Sequence, residues 1–167
     1  CAPTRRRSRV TRSLPAVSVR SRAYDKAVKR GASLVHLEDQ YFWSGELTSC
    51  FAKALTANPG LQLIIVVPHF ASQDGLLSRA SALLPRAKAL QDVLDAGPGR
   101  VGVYGIENHS GTPIYVHTQV CVVDDVWATI GSDNVNRRSW THDSELTCGV
   151  YDTALDEREP TMLDAVG

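Results

Sequence analysis

Long apolar runs are absent from the sequence. A helix that spans a bilayer needs about 18 or more consecutive apolar residues, and no such run occurs among the 167 residues. The arginine-rich beginning is not followed by the apolar stretch of a secretory signal peptide. These absences favour a cytoplasmic or peripheral membrane location. The first residue is Cys1 rather than methionine, which suggests a fragment or a processed product.

Cysteine is also scarce, and its spacing argues against a zinc site. The four cysteines show neither a CxxC pattern nor a paired histidine cluster. Cys121 and Cys148 lie in apolar segments, where we expect buried free thiols. Hard oxygen ligands do not cluster in the sequence either. We therefore expect no metal and no cofactor.

Acidic residues are missing from the first 22 positions, which contain seven arginines. The rest of the chain has 11 basic and 18 acidic side chains, so the net charge of zero hides an arm of +7 and a body of −7. We predict that residues 1–22 form a solvated basic arm or linker; contact with phosphate polymers or an anionic membrane is the alternative. Residues 23–152 have the length and apolar content of one domain, and residues 153–167 predict a frayed tail.

Apolar periodicity predicts an α/β domain. Helical spacing is found at 23–30, 46–57 and 75–96, with Leu84 on the inward stripe of the third helix and Pro85 kinking or dividing it. The predicted strands are short apolar runs at 33–37, 61–67, 101–104, 114–117, 120–123, 126–130 and 146–151. Because these runs show little polar alternation, we expect a mixed, largely parallel sheet flanked by helices that cover both faces.

Residues 117–134 place an imidazole, a carboxylate and a polar turn at fixed spacing. Imidazole, with an unperturbed pKa of about 6.5, serves as a nucleophile or proton carrier near neutrality. Asp124 follows His117 by one strand and belongs to an Asp-Asp pair that predicts a hairpin turn. The Gly131-Ser132-Asp133-Asn134 turn offers backbone N–H groups, a hydroxyl and an amide to an oxyanion. Taken singly, these features are more typical of a satisfied histidine, a hairpin turn and a loop with no shared site.

Together they resemble the phospholipase D signature, H-x-K-x4-D-x6-G-S-x-N. Five of its six fixed positions match, namely His117, Asp124, Gly131, Ser132 and Asn134, and Gln119 stands where the pattern has lysine. The segment 37–42, L-E-D-Q-Y-F, is similar to the I-E-N-Q-Y-F element that precedes the second signature of bacterial two-signature proteins. Residues 136–146 resemble the segment that follows it. The likeness covers roughly residues 21–152, as in a carboxyl-terminal half of such a protein.

The resemblance implies a phosphodiesterase or phosphatidyltransferase that works through a phosphohistidine. His117 would be one of two histidines, either the nucleophile or the group that protonates the leaving alcohol. Asp124 would support the motif, and Ser132 and Asn134 would hold the phosphate or partner side chains. Glu145 would steady a histidine by hydrogen bonding, and a surface glutamate at a strand start is the alternative.

Gln119 is the departure from the family pattern, because it can donate hydrogen bonds but brings no positive charge. We expect strongly reduced activity on a phospholipid or other phosphodiester. The complementary site would come from an amino-terminal half or a second copy of the chain. A non-catalytic phosphate-binding domain, on lipid or nucleic acid, and a nuclease-like homodimer are the alternatives. A membrane surface fits these expectations as a partner better than nucleic acid does.

Overall fold

The computed structural model describes residues 19–69, 76–141 and 143–152. The predicted tail at 153–167 and most of the predicted arm lie outside these ranges. In chain order the elements are α1 (Val19–Arg30), β1 (Leu34–Glu38), α2 (Gly45–Ala57), β2 (Gln62–Val66), α3 (Leu76–Ala96), β3 (Val101–Tyr104), β4 (Val120–Val123), β5 (Trp127–Gly131), α4 (Arg137–Thr141) and β6 (Thr147–Tyr151).

The strands form one mixed sheet in the order β3-β2-β1-β4-β5-β6. β1 pairs in parallel with β2, and β2 with β3. The pairs β1–β4, β4–β5 and β5–β6 are antiparallel. The α/β class, the mixed sheet and the flanking helices are confirmed. The expectation of largely parallel pairing is wrong for the described strands, because β4 and β5 are joined by a short turn that can only connect antiparallel neighbours.

That turn is the predicted Asp124-Asp125 hairpin. Both residues have positive φ, 52° and 60°, and the Val126 N–H donates to the Val123 carbonyl at 3.1 Å. Positive φ at both central positions is what a type I′ turn requires, and aspartate tolerates it better than most residues. The short run predicted as a strand at 114–117 is not one, because residues 114–117 pair with none of the described strands; the isolated bridge between Pro113 and Glu107 comes just before the run.

The core lies between the helices and one face of the sheet. It contains residues of α1, α2 and α3 packed on alternate residues of β1, β2 and β4, among them Val28, Val35, Leu37, Phe51, Leu55, Leu63, Ile65, Val93, Cys121 and Val123. On the other face, the β5–β6 edge is open, with Ile130 59% and Val150 51% exposed. Cys148, opposite Ile130 in register, is exposed as well. The predictions of helical cover on both faces and of a buried Cys148 are therefore wrong for the described residues at this edge, because apolar composition does not show which face a helix covers.

The third helix also differs from its predicted face. It runs without division through Pro85, and Leu84 is 77% exposed whereas Arg86 is only 5% exposed. Ala89 and Val93 are buried below Arg86 on the same side. The contacts available in the folded chain therefore decide which face of α3 is buried. Arg86 occupies a buried position, and Leu84, which the apolar pattern placed inside, is exposed.

Candidate active site

A cavity of about 890 Å³ opens at the edge of the sheet where β1 ends and β4 begins. Four of the predicted site residues line it together: His117, Ser132, Asn134 and Glu145. The other lining residues come from the loop after β1, from α3, and from α4 and its flanking segments: Gln40, Tyr41, Trp43, Ser44, Pro85, Asn136, Arg137, Arg138, Ser139 and Asp143. The structure thus brings an imidazole to the polar turn that follows β5.

His117 lies three residues before β4 and is exposed to the cavity. Its ring meets Tyr115 edge-on, with centroids 6.2 Å apart and planes at 75°. The next residue, Thr118, donates its hydroxyl to the Glu38 carboxylate at 2.8 Å. Glu38 in turn lies 3.2 Å from the His36 ring nitrogen. These contacts hold the residue after His117 and one side of its ring, while His117 itself remains exposed.

Gln119 stands behind the cavity wall rather than in its lining. Its Nε2 donates to the Asn134 Oδ1 at 3.0 Å, and its carbonyl accepts the Gly131 N–H at 3.1 Å. The Asn134 amide approaches the Ser132 carbonyl at 3.4 Å. The uncharged side chain at position 119 therefore orients the turn that follows β5.

The turn itself is held by the start of β6. The Ser132 N–H donates to the Leu146 carbonyl at 3.0 Å, and the Leu146 N–H donates back to the Ser132 Oγ at 3.1 Å. Glycine is required one residue earlier, because a Cβ at Gly131 would lie 2.6 Å from the Leu146 carbonyl oxygen. The Ser132 hydroxyl accepts that bond through one lone pair, so its proton remains available to an anion in the cavity.

Asp124 is not brought to the cavity. It lies at the other end of β4, where its carboxylate accepts the backbone N–H groups of Ala32 at 2.5 Å, Ser33 at 2.8 Å and Leu34 at 2.7 Å. These three bonds fasten the beginning of β1 to the hairpin. The signature carboxylate thus binds the backbone that precedes and begins β1, at the end of β4 opposite to His117.

Asp39 joins two walls of the cavity, and the sequence pattern did not single it out as a site residue. One carboxylate oxygen accepts the N–H groups of Tyr41 and Phe42, both at 2.7 Å, and the other accepts the Val135 N–H at 2.6 Å. Burial raises the pKa of Asp39 to about 6, against the lowering effect of these donors and of Arg86. The same loop gives Phe42 a φ of 46°.

Arg86 supports the same loop from α3. Its guanidinium donates to the carbonyls of Tyr41 at 3.0 Å, Gln40 at 2.7 Å and Pro68 at 2.8 Å. Burial lowers its pKa from the usual value, and the Asp39 carboxylate works in the opposite direction. Each of the three guanidinium nitrogens thus donates to a carbonyl, which offsets part of the cost of burying the charge. Its place on the helix gave no signal in the sequence.

Aromatic rings line one side of the cavity. Tyr41 and Trp43 stack with centroids 4.4 Å apart, and both face the cavity. Trp140 is buried, and its indole N–H donates to the Asn134 carbonyl at 2.6 Å. Trp140 therefore packs behind the cavity, whereas Trp43 lines it. In the described part of the chain, no group of three or more His, Cys, Asp or Glu side chains is placed to hold a metal ion.

A comparison with protein families shows which family the chain belongs to. A family model described as cardiolipin synthase, PLD-like domain, matches residues 48–159, more than half of the chain. The chain belongs to this family. It is thereby a member of the phospholipase D superfamily, whose members are phosphodiesterases. The resemblance that the signature residues carried is confirmed.

Curated relatives and solved structures agree with this membership. Phospholipase D zeta 2 of Arabidopsis thaliana is 26% identical over 78% of the chain, and phospholipase D alpha 1 of Ricinus communis is 46% identical over 28% of it. The chain spans only 16% and 6% of those two proteins.

Two solved phospholipase D-like structures share the fold. The phospholipase D family member Nuc of Salmonella typhimurium has a TM-score of 0.61 at 16% identity and covers 83% of this chain and 78% of its own. Phosphatidylserine synthase of Haemophilus influenzae has a TM-score of 0.64 at 16% identity, with 89% and 36% covered. Identities this low show the fold alone. Over the residues described, none of the helices has the length and apolar character needed to cross a bilayer.

Proposed function

We propose that this chain is one half of a phospholipase D-type active site that cleaves phospholipid phosphodiester bonds. The observation that carries the proposal is the meeting of His117, Ser132, Asn134 and Glu145 around one open cavity. An exposed imidazole beside a hydroxyl and an amide suits a tetrahedral phosphate oxyanion. The stacked pair of Tyr41 and Trp43 on the cavity wall offers apolar surface to the organic part of a diester.

The proposed chemistry needs two histidines. One forms an N–P bond while the P–O bond to the leaving alcohol breaks, and the other donates a proton to that alcohol. Water then attacks the phosphorus of the phosphohistidine, the N–P bond breaks to release the first histidine, and the second histidine accepts the proton of the water. Within the described residues, the cavity lining contains one histidine, His117. A complementary half or a second copy of the chain would supply the other.

Gln119 lowers the rate expected of such a site. Its amide is uncharged and already donates to Asn134 at 3.0 Å, so it neutralises no phosphate oxygen. Losing one preorganised donor to a developing oxyanion costs about 10²–10³ in turnover. The site in this chain therefore binds a phosphodiester better than it turns one over.

The test uses a substrate whose leaving group needs no proton, so that one histidine suffices for the first step. Bis(p-nitrophenyl) phosphate releases p-nitrophenolate without acid assistance. We expect a burst of up to one equivalent of p-nitrophenolate per chain, with a phosphoryl adduct on His117 found by mass spectrometry after rapid quenching. His117→Asn should abolish the burst. His109→Asn, the same change at an exposed loop position outside the cavity, is the matched control and should retain it.

The outcomes separate the proposed enzyme from a phosphate-binding domain. An adduct on His117 that disappears only in His117→Asn supports the enzyme. No adduct in wild type or in Gln119→Lys, together with binding of dimethyl phosphate seen at the Ser132 and Asn134 amides, overturns catalysis in favour of a non-catalytic phosphate-binding domain. If neither an adduct nor binding is found, both the enzyme and the phosphate-binding domain are excluded.

A further inference from the structure

The charged side chains around the cavity are not all paired with one another. Arg137, Arg138, Asp143 and Glu145 line it together with His117. Arg138 donates to the Asp143 carboxylate at 3.1 Å, so these two charges offset each other. Among the described residues, the Arg137 guanidinium has no carboxylate or carbonyl partner. It is the cation that the cavity leaves available.

The chain has a specific need for such a cation. A phosphodiester carries a full negative charge, and the position that holds a lysine in the family signature is Gln119 here. The Gln119 amide donates to Asn134, which leaves the phosphate without a charged partner from that position. A guanidinium suits this role well, because it binds two phosphate oxygens at once and keeps its charge at any pH of interest.

The backbone holds position 137 beside the phosphate-binding turn. Asn136 is buried and accepts the Ser139 N–H at 2.9 Å through its side-chain oxygen, as an N-cap does for the third residue of a helix. Arg137 is thus the first residue of α4, three positions after Asn134. The buried Trp140, bound to the Asn134 carbonyl, ties the helix to the turn. Arg137 itself is exposed, lines the cavity and takes part in neither of these side-chain contacts.

We propose that Arg137 is the phosphate-binding cation of this chain and stands in for the lysine that Gln119 replaces. The inference rests on the proposed function, since it assumes that a phosphodiester occupies the cavity. It predicts that Arg137 and position 119 act as alternatives. Removal of the arginine should weaken phosphodiester binding most when residue 119 is uncharged.

The experiment is a double-mutant cycle on the 167-residue chain. The dissociation constant of dimethyl phosphate is measured by NMR at the Ser132 and Asn134 amides. Inorganic phosphate is titrated in parallel, to separate a diester site from a site for the free ion. We expect Arg137→Gln to weaken dimethyl phosphate binding about tenfold, as loss of a charged hydrogen bond does, and Arg137→Lys to lie between. Lys53→Gln on α2, an exposed lysine outside the cavity, is the charge-matched control.

The decisive arm repeats Arg137→Gln in a Gln119→Lys chain. A lysine at 119 restores the cation, so the loss should shrink to about threefold or less, the non-additivity expected of two groups that share one ligand. An equal loss in both backgrounds, or in Lys53→Gln, overturns the inference while leaving the proposed function intact. If the wild-type chain binds neither dimethyl phosphate nor inorganic phosphate, both the inference and the proposed function are overturned.

Discussion

The buried carboxylate of Asp39 makes the stability of this protein depend on pH in a calculable way. The residue is 1% exposed, and burial raises its pKa from 3.8 to about 6. Because the folded protein holds this proton more tightly than the unfolded chain does, the contribution of Asp39 to stability is fully present below pH 3.8. It is lost as the pH rises through about 6. The shift corresponds to about 3 kcal/mol of unfolding free energy, at ~1.36 kcal/mol per pKa unit.

Asp39→Asn isolates this contribution, because the variant and the wild type share all their other titrating groups. The amide turns an N–H group towards one of the three backbone donors, which lowers the stability of the variant by a roughly constant amount. Urea unfolding followed by circular dichroism gives the unfolding free energy of both proteins from pH 3.8 to well above pH 6. The value for the variant minus that for wild type should rise by about 3 kcal/mol across this range.

A difference that stays flat with pH would show that the Asp39 carboxylate is no harder to ionise in the folded protein than in the unfolded chain. The hydrogen bonds of Asp39 would then join the two cavity walls without a free-energy cost for ionising the carboxylate. Asp95→Asn, the same chemical change at an exposed position of α3, is the control. It reports what the loss of one surface carboxylate does to the same measurement.

Three further predictions follow from other residues. Asp124→Ala removes the acceptor of three backbone N–H groups and should lower the unfolding free energy by about 2–4 kcal/mol in urea; a loss below about 1 kcal/mol would mean that water replaces the carboxylate. Gly131→Ala places a Cβ 2.6 Å from the Leu146 carbonyl and should shift the amide resonances of the turn after β5 and lower the melting temperature, whereas an unchanged spectrum contradicts that close approach. Deletion of residues 1–18 removes five of the seven arginines of the arm and should weaken the salt dependence of binding to anionic vesicles in co-sedimentation. Equal salt dependence with and without residues 1–18 would exclude these residues as a membrane contact.

Local patterns in the sequence were sufficient for most of the fold. Apolar runs predicted β3 and β4 with their observed bounds, and the Asp-Asp pair predicted the hairpin that follows β4. Steric preferences of a strand or a turn act within a few residues, so they can be read without knowing what lies opposite. The same local pattern gave a wrong prediction at 114–117, where the apolar run pairs with no strand in the described part of the chain.

The candidate site divides in the same way. Fixed spacing in the sequence predicted that His117, Ser132 and Asn134 belong together. His117 lies just before β4 and the polar turn follows β5, and the antiparallel pairing of these two strands brings both to the same end of the sheet. Only the tertiary structure decided that Asp124 lies at the far end of that strand and that Asp39 is buried between two cavity walls. It also decided that Arg137 finds no carboxylate or carbonyl partner among the residues that the structure describes. Burial and charge pairing are set by which segments meet across the fold. The residues that meet there are separated by up to 96 positions along the chain, and no local pattern records such contacts.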